Sequence, residues 1–210
     1  MERVVITLSC FVSAATPRAS LYPIDIDRKL LPAERLSNYA PMLRSSQDRR
    51  MIILLIGVTG SGKTTVGKLL ARQLDWRFYE GDDFHSPTNI EKMRSGVPLN
   101  DKDRLPWLQT IQEAIRSALE RGENAVFAVS ALKNDYRRVL QIDAGVRVVH
   151  LKAKIELIRE RLQRRTGHFM NPVLIQSQFD TLEEPDGVLQ INAELPADEI
   201  VRIIRARVSL

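Results

Sequence analysis

The sequence predicts an α/β fold in three layers, with a five-stranded parallel sheet between two layers of helices. Three observations predict it. From residue 51 onward, five short apolar runs alternate with helical stretches, and repeated strand–helix units of this kind wind into a parallel sheet. The first run, MIILLI (51–56), is continuously apolar, as a strand covered on both faces must be. A glycine-rich loop then joins this run to the first helix.

The elements follow in order. After MIILLI, a helix runs from Lys63 to about Leu74, and RFY (77–79) makes a short strand. Asn89 to Ser95 form a short helix stopped by Gly96. Asp103 to Arg121 form a longer one, with Pro106 in its first turn and Gly122 just past its end. AVFAV (125–129) and VRVVHL (146–151) are strands, with a helix near 134–142 between them. Helices at about 154–165 and 172–181 precede the last strand, VLQI (188–191), and Asp198 opens a terminal helix.

The totals exclude several classes. At 210 residues, 44% hydrophobic and 27% charged, the chain can bury one good core. A single cysteine, Cys10, rules out an internal disulfide framework and fits a reducing, cytoplasmic setting. The net charge of +5 is concentrated at the start: residues 1–50 hold eight Lys/Arg against five Asp/Glu, which leaves +2 for the rest. No basic face with interleaved aromatics marks a nucleic-acid surface, and no run of 18 apolar residues marks a membrane span. The opening MERVVITLSCFVSAA only weakly imitates a signal peptide. With four prolines and little periodicity, residues 1–50 read as a poorly ordered N-terminal extension to a domain spanning 51–210, and Met51 offers an alternative start.

The chemistry begins at GVTGSGKT, Gly57 to Thr64, which fits G-x-x-x-x-G-K-[ST] in the strand–loop–helix setting that the pattern requires. Glycines let the main chain wrap tightly, so that successive N–H groups converge on phosphates beside a helix N-terminus. Gly57, Val58, Thr59, Gly60, Ser61, Gly62, Lys63, Thr64 and Thr65 are therefore the expected nucleotide contacts. Lys63 reaches the β- and γ-phosphates, and the Thr64 hydroxyl ligates Mg²⁺. No N-K-x-D guanine motif is present, and neither AVFAV nor VRVVHL ends in a Walker-B Asp. A switch or a motor needs one of these, whereas a small-molecule kinase needs neither.

EGDDFH (80–85) clusters three carboxylates where the second strand ends. In a parallel α/β sheet the carboxyl ends of the strands line the ligand crevice. Glu80 and Asp82 therefore meet the phosphates, one to orient the Mg²⁺ water shell and the other to accept the proton of an attacking hydroxyl.

With these blocks in view, the chain resembles the gluconate kinases of the P-loop small-molecule kinase group, relatives of shikimate and nucleoside monophosphate kinases. The resemblance covers about residues 52–205. It rests on GVTGSGKTTVG, GDDFHSPTNIEKMRSGVPLNDKDRLPWL (81–108), SALKNDYRRVL (130–140) and RLQRRTGHFMNPVLIQSQFDTLEEP (161–185). One departure is Glu80, where the family pattern leads one to expect Asp. The resemblance implies a P-loop kinase with a small mobile lid that uses ATP and Mg²⁺ to phosphorylate D-gluconate on its 6-hydroxyl. The product, 6-phosphogluconate, feeds the pentose phosphate pathway.

The acceptor segment suits a polyol acid on its own terms. His85, Asn89, Lys92, Arg94, Asn100, Asp101, Asp103 and Arg104 offer hydrogen bonds of both polarities, and Arg104 is chosen for the carboxylate. Ser130 and Lys133 sit at another strand end, and Lys133 and Arg137, four apart, read as acceptor or phosphate contacts. Arg161 and Arg165 share a helix face in the lid candidate RLQRRTGHF. There they can neutralise charge on the transferring phosphoryl group, with Gly167 as hinge. His168, Gln178 and Glu183–Glu184 match the family without a derivable role, and the Asn192–Pro196 loop is where relatives hold adenine. Two alternatives remain at this level: a P-loop kinase for shikimate, adenylylsulfate or another sugar acid, and a non-catalytic nucleotide- or RNA-associated protein. Oligomeric state, a homodimer included, is left open.

Overall fold

In the computed structural model, the described residues are 4–7, 23–26, 50–164 and 172–208. The chain separates into two compact units, Met1–Arg49 and Arg50–Leu210. In the first unit, β1 (Val4–Thr7) pairs antiparallel with β2 (Pro23–Ile26), Val4 opposite Ile26. Sequence analysis assigns no element there, because four-residue strands amid prolines carry too little periodicity to register.

The second unit contains β3 (Ile52–Ile56), α1 (Lys63–Leu74), β4 (Arg77–Glu80), a 3₁₀ turn (Gly81–Phe84), α2 (Pro87–Arg94) and α3 (Asp101–Glu120). It continues with β5 (Ala125–Val129), α4 (Asn134–Leu140), β6 (Val146–Lys152), α5 (Ile155–Gln163), α6 (Pro172–Thr181), β7 (Leu189–Asn192) and α7 (Ala197–Arg207). The five strands β4-β5-β3-β6-β7 form one wholly parallel sheet in that order, as expected.

β3 lies at the centre and explains the continuous apolar run. Ile52, Leu54 and Ile56 pack with Leu108 and Ile111 of α3 and Leu140 of α4 on one face. Ile53 and Leu55 pack with Val66 and Leu70 of α1 and Ile200 and Ile204 of α7 on the other. Successive strand residues point to opposite faces, so both faces must be apolar when both are covered. A third, smaller cluster joins Val58, just after β3, to Leu132, Ile158 of α5 and Ile175 of α6.

One boundary differs in a useful way. α3 starts at Asp101, two residues earlier than expected, because Asn100 and Asp103 form a reciprocal capping box. The Asp103 N–H donates to Asn100 Oδ1 at 3.0 Å, and the Asn100 N–H donates to Asp103 Oδ2 at 3.2 Å. Pro106 consequently lies inside the helix rather than in its first turn. Among the described residues, no helix is long and apolar enough to cross a membrane.

Candidate active site

The loop after β3 is shaped by contacts that exclude side chains. Gly57 has φ 141°, and a Cβ there would sit 2.7 Å from the Leu151 carbonyl oxygen of β6. The loop thus leaves β3 pressed against the neighbouring strand and turns towards the start of α1. Gly62 is the N-cap of α1, and no side chain caps the helix start. Lys63 is buried, and its Nζ donates to the carbonyls of Gly57 (2.9 Å) and Val58 (3.0 Å), curling back over the loop.

The strand-end acids come to the same place. Glu80, the last residue of β4, is half-buried and accepts a hydrogen bond from the Thr64 hydroxyl at the start of α1. Burial raises the Glu80 pKa. The Thr64 bond and the Lys63 charge pull it down, while Asp82 and Asp83 push it up. Gly81 follows where no Cβ fits, since one would lie 2.6 Å from the Ala128 carbonyl oxygen of β5. The Gly81 carbonyl in turn accepts from the Trp107 indole at 2.8 Å. Trp107 stacks on His85 with ring centroids 4.5 Å apart, and burial lowers the His85 pKa. A chain of contacts from α3 through Trp107 thus orients the turn that carries Asp82 and His85.

Asp82, His85 and Trp107 line an open cleft. Thr59 of the loop, Asp82, His85, Arg104, Ser130 and Gln178 contribute its polar surface. Three side chains that do not line the cleft, Asp101, Lys133 and Tyr136, converge on Arg104, which does. Asp101 accepts from Lys133 Nζ at 2.8 Å and from the Tyr136 hydroxyl, while Arg104 Nη1 reaches the Tyr136 hydroxyl at 3.4 Å. The Lys133 bond is the main cause holding the Asp101 carboxyl below its ordinary range, and Asp101 in turn raises the Lys133 pKa.

Comparison with known proteins agrees with this geometry. The family model for shikimate kinase matches residues 59–185. A probable gluconokinase of Rattus norvegicus is 45% identical over 153 residues, covering 64% of this chain and 83% of the relative. A gluconokinase of Gluconobacter oxydans is 42% identical over 153 residues, covering 71% and 86%. The crystal structure of a gluconokinase from Sinorhizobium meliloti superposes with a TM-score of 0.66 at 40% identity, covering 73% of this chain and 88% of that one. The chain belongs to the gluconokinase family.

Within this gluconokinase-family chain, the polar residues of the acceptor segment divide sharply. His85 and Arg104 face the cleft. Asn89 is buried and donates to the Asp103 carbonyl at 2.8 Å, Lys92 pairs with the Asp103 carboxylate at 2.6 Å, and Asn100 caps α3. Arg137 is buried, and its guanidinium donates to the carbonyls of Ala131 (2.9 Å), Leu132 (2.8 Å) and Glu183 (2.7 Å). Those bonds tie α4 to the segment after α6, and Arg137 is not among the residues lining the cleft.

Arg161, on α5, bridges two loops. It donates to the carbonyls of Gly60 and Ser61, each at 3.3 Å, and to Ala193 at 2.6 Å. A second concavity beside it runs from Gly62 and Thr65 to Leu195 and Ile200. Arg165, Gly167 and His168 lie outside the described residues.

The family-signature residues left without a role by sequence analysis acquire partners. The Glu183 carboxylate accepts from the Asn134 N–H at 2.7 Å, capping α4 from a distant loop. Glu184 pairs with Lys152 at 3.2 Å. Gln178 bonds Thr59 twice: the Thr59 N–H donates to its Oε1 at 2.7 Å, and its Nε2 donates to Thr59 Oγ1 at 3.0 Å. Trp107 is the other residue that sequence reasoning missed. Sequence offers no signal for either partner, because 26 residues separate Trp107 from Gly81 and 119 separate Gln178 from Thr59.

Among the described residues, no three of His, Cys, Asp and Glu gather as a resident metal site. The Thr64–Glu80 pair fits a hard cation that arrives with phosphates, since Mg²⁺ keeps much of its water and needs few protein oxygens.

Proposed function

We propose that this chain transfers the γ-phosphate of ATP to the 6-hydroxyl of D-gluconate, giving ADP and 6-phosphogluconate. One observation carries the reading. Thr59 of the glycine loop and the Asp82 carboxylate line the same cleft as His85 and Arg104, and Glu80, two residues before Asp82, bonds Thr64 at the start of α1, next to Lys63. A phosphate cradle is thereby joined to a polar, cationic acceptor surface. The relatives' names, gluconokinase and probable gluconokinase, support the acceptor.

In this reading, the N–H groups of the loop other than that of Thr59, which Gln178 holds, and those of the first turn of α1 bind the phosphates. Lys63 exchanges its two carbonyl partners for phosphate oxygens. Thr64 and Glu80 hold Mg²⁺, which when bound neutralises phosphate charge. Asp82 takes the proton of the 6-hydroxyl as its oxygen forms the new bond to phosphorus and the bond from phosphorus to the ADP oxygen breaks. His85 and Arg104 orient the acceptor, Arg104 through the carboxylate, with Lys133 as a neighbouring cation. Arg161 and Arg165 stabilise charge on the transferring group. Arg137 acts by holding Lys133 and its helix in place. The residues lining the second concavity, from Thr65 to Ile200, receive the adenine.

The test is ATP turnover by the full chain against a panel of D-gluconate, other aldonic acids, shikimate and adenylylsulfate. Gluconate is expected to be preferred. Turnover of shikimate or adenylylsulfate with none of gluconate would overturn the acceptor assignment.

A further inference from the structure

α6 presents two faces to two different parts of the crevice. Leu174, Ser177 and Gln178, spaced three and one apart on one face of the helix, line the acceptor cleft. Ile175, with Phe179 beside it, packs against Val58 of the phosphate loop in the third core cluster. Gln178 joins the two faces through its pair of bonds to Thr59. A loop amide turned away from its own secondary structure needs a partner. The Thr59 N–H takes a side chain 119 residues along the chain. The loop's own short bond, from the Ser61 N–H to the Val58 carbonyl at 3.2 Å, leaves Thr59 untouched.

We propose that Gln178 is a positioning residue that couples acceptor binding to the phosphate loop. An acceptor seated against Leu174 and Ser177 restrains α6. Gln178 passes that restraint to the Thr59 main chain, so the loop is already ordered when nucleotide arrives. Coupling of this kind is reciprocal: the acceptor tightens nucleotide, and nucleotide tightens the acceptor by the same factor. The direction follows from the geometry, because both bonds hold the loop rather than compete for its ligand. The acceptor's identity rests on the function proposed above.

Two measurements on the full chain test the proposal. The first is calorimetric titration of a magnesium complex of a non-hydrolysable ATP analogue, with and without D-gluconate. In the wild type, gluconate is expected to tighten the analogue at least about fivefold. Gln178→Met, which keeps the bulk and loses both bonds, is expected to bring that ratio within about twofold of one, whatever happens to each separate affinity. Thr59→Val, which keeps the N–H bond and loses the hydroxyl bond, should fall between.

The second measurement is amide hydrogen exchange of the loop peptide with no ligand present, so it does not depend on the acceptor. Gln178→Met should speed exchange at Thr59. Gln178→Glu should preserve protection, because a carboxylate accepts from both the Thr59 N–H and its hydroxyl. Unchanged coupling or unchanged loop exchange in Gln178→Met, or no coupling in the wild type, overturns the proposal. If another sugar acid binds in place of gluconate, the substrate reading fails, and the coupling is measured with that acid.

Discussion

On the phosphate side of the crevice, the main chain makes the binding surface. A Cβ at Gly57 would lie 2.7 Å from the Leu151 carbonyl oxygen, and the lysine of the loop rests on the loop's own carbonyls. On the acceptor side, the surface is side chains drawn from the turn after β4, from α3, from the end of β5 and from α6. Some of these side chains are held by a second residue: His85 by Trp107, and Gln178 by Thr59. Backbone recognition needs a short contiguous motif, whereas side-chain recognition needs a fold. A substitution on the phosphate side should therefore damage every reaction the enzyme performs. One on the acceptor side should change which reaction it performs.

The largest effect tests the junction of the two sides. Asp82→Asn is expected to lower kcat by about 10²–10⁴-fold, the range for a lost general base, with nucleotide binding nearly intact. Steady-state kinetics paired with nucleotide titration checks this, and unchanged turnover would move the role to Glu80 or Asp83. Lys63→Ala should cost about 10²–10³-fold in turnover and weaken nucleotide binding as well, equally for every acceptor. An acceptor-dependent loss would break the division between the two sides.

Arg104→Gln sharpens the acceptor side. A charge-assisted pair partly withdrawn from water is worth about 2–3 kcal/mol, roughly 30- to 150-fold in kcat/KM. Wild-type enzyme should prefer gluconate to the neutral polyol sorbitol by at least that factor. The mutant should lose most of the preference while its rate on sorbitol stays nearly unchanged. Full discrimination by the mutant would transfer the anion contact to Lys133.

A smaller effect concerns pH. Burial disfavours the ionised Glu80 carboxylate and lifts its pKa above 4.5. In the free enzyme the protonated form favours the fold, and that contribution is lost as pH rises through the raised value. Mg²⁺ requires the ionised form, so affinity for the Mg–nucleotide complex should fall on acidification, and at a higher pH than an unperturbed glutamate would give. In Glu80→Gln, titration across pH should show a uniformly weaker complex without that acid limb.

The smallest change is expected from Lys133→Met. Its partner Asp101 is exposed and screened, so stability should barely move, and kcat/KM for gluconate should drop by less than about fivefold. A loss as large as that of Arg104→Gln would make Lys133 an equal anion contact.

Much of the fold was legible because its signals are local. Five apolar runs, a glycine stop after α3 and a strand–loop–helix motif each occupy a few adjacent residues. Where the reading slipped, at Pro106, the capping pair Asn100–Asp103 outweighed the proline signal and started α3 earlier. The sequence by itself determined the parallel sheet, the phosphate loop and the acid cluster at the end of β4, since periodicity, glycine and charge act over a turn or a strand. Only the tertiary structure decided which polar residues of 85–104 face the cleft, that Arg137 clamps carbonyls, and that Gln178 grips Thr59. The physical reason is that a polar side chain carries no mark of its partner. Burial obliges it to find one, and the partner that packing brings within 3 Å can lie 119 residues away.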